Sequence, residues 1–552
     1  MNTITEQTLT EFSQWLADRR VIGASIAGEA LYLADGTPTA TWIIDLRNRA
    51  VTAAAFKVLA DSGRKVWCGR VTSTRYTGTH RTVRAEHAGP YAMRLTGQRA
   101  EAHSWLWDAS TLLHTLRPFS TTDNRWERDP RIDPLGFTAT SPADAAVLTA
   151  RLVTELHTGS PAAARKVALH SCQQQAMWRH REQIGWRVDV DKLRAEIESC
   201  YTSKRQLTDE FGIDLVTAAT AADRARIHNW LAGYGIEIRD QHGDPTLARN
   251  AIDEVNLTDL TSEARDAWWK FRRARSNYSR MAKLLEIKSA LQNGRIYTHL
   301  QLRATITGRS TSARPALQNI HRDLRGLLIA DRGKVLVSLD LSTIEPRIAA
   351  ALSGDQRLAA DIASGDLYTS FARRLWGASA SDEAGGIIQE HRDIAKTAML
   401  QTFYGSGSAT LAQRLGPDTT VATAQQLIDG LWAAYPQLRS FRDQLNAAAR
   451  RRRPDPYASG RPSAYSPRGD HAALNIRIQG EAADAFLELS SAALHRLGPR
   501  AAWLSVFDEL VVEVPEAHAE QARQILQETM CAQINGIPLT GQAQILGAAW
   551  RK

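Results

Sequence analysis

Apolar positions along this chain change their spacing twice, and each change predicts a change of architecture. Up to about residue 160, short apolar runs are separated by polar turns. WLADRR reads as helix, ALYLADG and TWIIDL as strands, and SPADAAVLTARLVTEL as helix, which predicts a small α/β domain over 1–160. From 165 to 300 the spacing is helical. KVALHSCQQQAMWRHREQIGW and TSEARDAWWKFRRARSNYSRMAKLLEIKSALQNG carry apolar residues every three or four positions, the second among many Arg and Lys. From 301 to 552 the pattern is mixed. KVLVSLD predicts a buried strand, and STIEPRIAAALSG a helix with Pro346 in its first turn, where proline is tolerated. Residues 360–450 read as mostly helical, and 450–470 as a cationic Pro/Gly/Ser loop, either solvated at the surface or placed against a polyanion such as DNA. A long helix follows over HAALNIRIQGEAADAFLELSSAALHRL, and WLSVFDELVVEVP predicts two strands meeting at Asp508 and Glu509.

Composition narrows the function classes. A chain of 552 residues with 43% hydrophobic and 23% charged residues can build several packed cores and is not of disordered type. A net charge of +9 suits a polyanionic partner without specifying one. The four cysteines have no CxxC spacing, which argues against a zinc cluster or a disulfide framework and fits a reducing cytoplasm. The N-terminus lacks the apolar core of a signal peptide, and no apolar run is long enough to span a membrane.

Chemistry gathers in the last half. Asp340 ends an apolar strand, and Asp508 stands between two more. A carboxylate at the end of a buried strand needs compensation. Two from distant parts of the chain could share divalent ions, as phosphoryl transfer requires. In HRDIAKTAMLQTFYGSG, Arg392, Lys396, Leu400 and Tyr404 recur every four residues and so share one helix face. Two cations, an apolar residue and a phenol on one face could grip a triphosphate and its sugar. ITGRSTSARPALQNIHRDLRG is a loop of interspersed arginines and amides, including Arg309, Gln318 and Asn319. Such a loop could touch phosphates and base edges.

Together these segments resemble the polymerase module of the family A DNA polymerases. The family's TGR…LQN segment appears as Thr307-Gly308-Arg309 and Leu317-Gln318-Asn319, and its first palm motif as DLSTIEPR from Asp340. Its R-x3-K-x7-YG finger helix appears at Arg392, Lys396, Tyr404 and Gly405, its N-x3-QG segment at Asn475, Gln479 and Gly480, and its second palm motif as Phe507-Asp508-Glu509. All occur in the family's order. The resemblance implies a right-hand polymerase: a palm with an antiparallel sheet, helical fingers and a helical thumb. The thumb would be 165–300 and palm plus fingers 301–552, with fingers about 356–465. It implies two Mg²⁺, replaceable by Mn²⁺, held by Asp340, Asp508 and the Leu341 carbonyl. Arg392 and Lys396 would bind the triphosphate, with Lys396 also protonating the leaving pyrophosphate. Glu345 would exclude a ribose 2′-OH and bond to Tyr404 near the templating base. Arg309 and Gln479 would read minor-groove acceptors, Gln318, Asn319 and Asn475 would contact template and primer, and Glu509 would be an accessory carboxylate. The implied partners are primer–template DNA and dNTPs, for a cytoplasmic monomer with no membrane attachment.

Three positions depart from the family: Leu400 replaces an aromatic residue, Phe507 a histidine, and His471 an arginine. Glu345 favours DNA synthesis over a single-subunit RNA polymerase, and the intact acids and cations argue against a non-catalytic DNA-binding relative. Residues 1–160 resemble the α/β, ribonuclease H-like 3′–5′ exonuclease domain that often precedes the thumb. Its DxE pair is missing from VIGASIAGEALYL, so the expectation is an inactive domain, although Asp108 and Asp144 resemble later aspartates of that site. Heavy use of Arg and Ala with little Lys fits a phage or actinobacterial member, and the length leaves no room for a 5′-nuclease domain.

Overall fold

The two largest sheets among the described residues lie one toward each end of the sequence, with long helices between them. In this computed structural model the described residues run over 2–86, 106–116 and 142–551, the first and last spans with short breaks, of which 76–80, 256–259 and 464–471 are the longest.

The first sheet contains β1 (Asn2–Thr3), β2 (Ile22–Ala27), β3 (Ala30–Ala34), β4 (Thr41–Asp45), β5 (Val66–Cys68) and β6 (Leu106–Asp108), in the order β1-β4-β3-β2-β5-β6. β2, β3 and β4 form an antiparallel meander, and β5 and β6 extend it in parallel. Helices α1 (Leu9–Ala17) and α2 (Arg49–Asp61) bury Phe12, Leu16, Ala55 and Leu59 against Leu31, Leu33 and Ile44. On β2, where the exonuclease resemblance calls for a DxE pair, Gly23 sits under α3 (Pro142–Thr158). A Cβ there would stand 2.1 Å from the Ala146 carbonyl oxygen. Only a glycine lets the helix backbone come so close.

The helical stretch folds as α4 (Ala162–Ile184), α5 (Val190–Phe211) and α6 (Ser262–Ala290), among others. Asp189 and Thr261 cap α5 and α6 by accepting from the Lys192 and Ala264 amides. These two helices pack together through Leu193, Ile197, Phe271 and Leu284. α4 is more polar than a core helix should be, yet Gln174, Gln175, Arg181 and Glu182 on it are buried.

The second sheet consists of β7 (Lys334–Leu341), β8 (Ala502–Val506), β9 (Glu509–Pro515) and β10 (Gly541–Gly547), ordered β8-β9-β7-β10 and antiparallel throughout. β7 is central, which is why its apolar run is continuous and not alternating. The edge strand β10, GQAQILG, is too polar to have been read as a strand. Two residues separate β7 from α7 (Ile344–Ser353), which carries Pro346 in its first turn. Helices α8 (Leu367–Trp376), α9 (Gln389–Phe403) and α10 (Ala473–Leu497) lie between β7 and β8 in sequence, and α11 (Ala519–Met530) packs on β7 and β10. The cationic stretch 450–470 is not wholly a surface loop: Tyr457 and Arg461 are buried.

Candidate active site

The acids are placed by the second sheet. Leu336, Val337 and Leu339 lock β7 into the core and leave Asp340 half-buried near its end. Asp508 lies in the two-residue turn between β8 and β9, where Val506 pairs with Glu509. The turn holds Phe507 at φ 55, which costs a non-glycine residue about 1 kcal/mol, and leaves its ring 51% exposed. The Asp508 carbonyl accepts from the Leu341 amide at 3.0 Å, tying the two acid-bearing segments together. Burial, then repulsion from Asp340, pushes the Asp508 carboxyl up to about 6. Paired carboxylates in such surroundings resist ionising together and are stabilised by a multivalent cation.

Glu509 follows Asp508 but points elsewhere, because side chains alternate along a strand. It is buried, 3.3 Å from Arg325 Nη1, and it accepts from the Trp550 indole at 3.4 Å. Arg325 stacks 4.4 Å from the Trp550 ring. The accessory carboxylate expected near a primer end is thus held inside an ion pair.

The cations come from α9. Ala395, Ala398, Met399 and Phe403 are buried, while Arg392, Lys396, Leu400 and Tyr404 lie on the more open face, as their spacing predicted. Arg392 and Lys396 stand 5.7 and 5.6 Å from the ring of Tyr368 on α8. Burial raises the Tyr368 phenol to about 12, and the charges of Glu345, Asp366 and Asp508 push the same way. Tyr368 therefore marks where finger cations and palm acids meet, and sequence reasoning missed it. The other omission is Asp366, which caps α8 through the Tyr368 and Thr369 amides and also binds Arg392 Nε at 2.7 Å. An Asp at a helix start is legible in sequence as a cap; its second partner is not.

A third group joins these parts. Glu345, buried on α7, forms an ion pair with Arg309 and lies beside Tyr404. Burial, then the Glu345 charge, raises the Tyr404 phenol. Arg309 also stands 5.7 Å from the Phe507 ring. Asn319 is exposed, and Asn475 and Gln479 are half-buried one turn apart on α10. Gln318 is buried, and its amide donates to the Ser505 carbonyl at 3.0 Å, so it braces the palm and is not open to a base. Leu341 is buried; His471 lies outside the described residues. In the N-terminal sheet, Asp108 ends β6 and Asp144 lies in the first turn of α3, but β2 carries no acid. Among the described residues, no three His, Cys, Asp or Glu side chains gather as a metal cluster.

The profile of DNA polymerase family A matches residues 239–552, more than half of the chain and all of the palm sheet. The chain belongs to DNA polymerase family A. DNA polymerase I of Chloroflexus aurantiacus is 35% identical over 263 residues, covering 43% of this chain and 27% of that protein. DNA polymerase I of Aquifex aeolicus is 30% identical over 257 residues, covering 45% and 44%. The thermostable DNA polymerase I of Thermus filiformis is 32% identical over 258 residues, covering 43% and 30%. The aligned part of this family A chain thus spans less than half the length of these relatives. Its fold is also that of a solved structure, the POL domain of Pol1 from M. smegmatis in complex with DNA primer-template and dNTP. The TM-score is 0.74 over 99% of both chains, at 19% identity. That likeness covers the N-terminal sheet as well as the palm.

Proposed function

We propose that this chain is a template-directed DNA polymerase that adds dNTPs to a primer 3′ end. The observation that carries the reading is the convergence on Tyr368. Arg392 and Lys396 lie over its ring, while Glu345 and Asp508 act on its phenol. Acids and cations drawn from separate elements surround one space, as transfer of a phosphoryl group between two oxygens requires.

Asp340 and Asp508, with the Leu341 carbonyl, would hold two Mg²⁺ ions, which Mn²⁺ can replace. The donor set fits: hard oxygens, a carboxyl raised by burial and then by its neighbour, and few protein ligands, so that phosphates and water complete the shell. Bound there, the ions supply Lewis acidity toward the primer hydroxyl and the phosphate oxygens. Arg392 and Lys396 bind the triphosphate. The primer 3′ hydroxyl gives its proton to water as its oxygen bonds to the α-phosphorus and the bond to the bridging oxygen breaks, and Lys396 gives a proton to the departing pyrophosphate. Glu345 fills the space a 2′-hydroxyl would need, Tyr404 stands by the templating base, and Leu400 lies under the sugar. Arg309 and Gln479 reach the minor groove of the new pair, while Asn319 and Asn475 support the strands.

Residues 165–300 act as thumb, 301–552 as palm and fingers, and 1–160 as an exonuclease-like domain without activity. Support for the last is the acid-free β2 and the α3 backbone pressed onto Gly23. The test is extension of a labelled primer–template in Mg²⁺ with dNTPs and then rNTPs, beside Asp508→Ala. Extension with dNTPs only, absent in the variant, is expected. Binding of DNA without extension under either metal would overturn the polymerase reading. Primer shortening without dNTPs would overturn the reading of the N-terminal domain.

A further inference from the structure

The cationic stretch at 450–470 contributes two buried residues, and Arg461 is buried completely. Burying a guanidinium costs several kcal/mol unless charge and hydrogen bonds offset it. The compensation here comes from several parts of the fold. Arg461 Nε donates to Asp484 Oδ1 on α10 at 2.8 Å, and Arg303 binds the same oxygen. Nη2 donates to the Thr307 carbonyl at 3.0 Å and to the Gly480 carbonyl at 3.2 Å. The guanidinium lies 3.9 Å from the centroid of the Tyr457 ring, whose hydroxyl donates to the Ile476 carbonyl at 3.1 Å.

Two glycines admit this group. A Cβ on Gly308, which also sits at φ 82, would stand 2.8 Å from Arg461 Cζ. One on Gly480 would stand 2.1 Å from the Tyr457 ring. Gly308 precedes Arg309, and Gly480 follows Gln479. A single planar guanidinium thus holds the main chain beside both minor-groove readers, which come from different elements.

We propose that Arg461 is a positioning residue that fixes the spacing between Arg309 and Gln479, and so sets how strictly the shape of the terminal base pair is gauged. The inference rests on the polymerase reading. Minor-groove acceptors are common to all correct pairs, so discrimination depends on where the two donors stand and not on which base they meet. An ammonium carries all its donors on one nitrogen, so it cannot meet Asp484 and both carbonyls from separate nitrogens, and it has no flat face for the Tyr457 ring.

The test compares wild type with Arg461→Lys and Gly480→Ala. Single-nucleotide incorporation is measured from matched and mismatched primer termini, alongside primer–template affinity and thermal melting. Gly480→Ala keeps every charge and displaces the Tyr457 ring, so it decides the matter if Arg461→Lys does not fold. In folded variants the matched-to-mismatched ratio should fall on the order of 10-fold, through kcat on the matched terminus, with DNA affinity within about 2-fold. Folded variants that keep the wild-type ratio while wild type extends primers would overturn this inference and leave the polymerase reading intact. A wild type that binds DNA but never extends it would overturn both.

Discussion

At the scale of single residues, the site stores electrostatic strain in Asp508. A carboxyl whose folded pKa stands above its unfolded value stabilises the fold below the unfolded value, and that contribution is lost as pH rises through the folded one. For Asp508 the loss runs from about 3.8 to about 6. Without divalent ions, Asp508→Asn should match wild-type stability near pH 4, pull ahead through pH 6, and lead by about 1–3 kcal/mol at pH 7 while losing extension. Denaturation in EDTA across this range checks it, and a constant gap would sink the idea. Leu400 offers a second residue-level test. A branched alkyl group cannot stack, so Leu400→Phe should lower the nucleotide KM about 5-fold and change dideoxynucleotide selectivity. Identical KM and selectivity in the two proteins would refute a role under the sugar.

At the scale of elements, one carboxylate serves two helices. Asp366 caps α8 and holds Arg392 of α9, so in the proposed polymerase a triphosphate would compete with it for the guanidinium. The pair is partly exposed, and such pairs are worth about 0–1 kcal/mol. Asp366→Asn keeps a capping oxygen and should lower the nucleotide KM by about 2- to 5-fold, as steady-state kinetics would record. A KM that stays the same or rises would mean that Asp366 chiefly orients Arg392. The site's reach also depends on joints between elements: Glu345 links α7 to Arg309 and to Tyr404 at the end of α9.

Across the whole molecule, α4 anchors the N-terminal half to the palm. Arg181 is buried between the Trp186 and Trp503 rings, 5.3 and 5.8 Å from their centroids, and donates to Glu513 at 3.1 Å. Burial lowers its pKa, and Glu513 opposes that shift. The Trp186 indole also donates to the Trp503 carbonyl at 2.9 Å. Arg181→Ala should destabilise by at most about 3–5 kcal/mol, because it strips the buried Glu513 of one of two cationic partners, Lys334 remaining at 3.1 Å. Arg181→Met with Glu513→Gln should recover most of that in urea melts followed by tryptophan fluorescence. Equal losses in the single and double variants would place the energy in packing instead.

The sequence by itself determined the elements and the chemistry they carry. Continuous apolar runs marked β7, β8 and β9, a four-residue repeat placed Arg392, Lys396, Leu400 and Tyr404 on one face, and ordered motifs pointed to the family. These are local signals, and a helix or strand period follows from backbone geometry alone. What only the tertiary structure decided is which groups are spent on one another. Tyr368 joining cations to acids, Asp366 holding Arg392, Glu509 turned into an ion pair with Arg325, Gln318 bonded to Ser505 and Arg461 buried beneath two glycines all depend on partners far away in the chain. Composition marked 450–470 as surface because Arg is usually solvated; Asp484, Tyr457 and two carbonyls reverse that for Arg461. A charged side chain's fate is set by what compensates its burial, and compensation is a property of the fold.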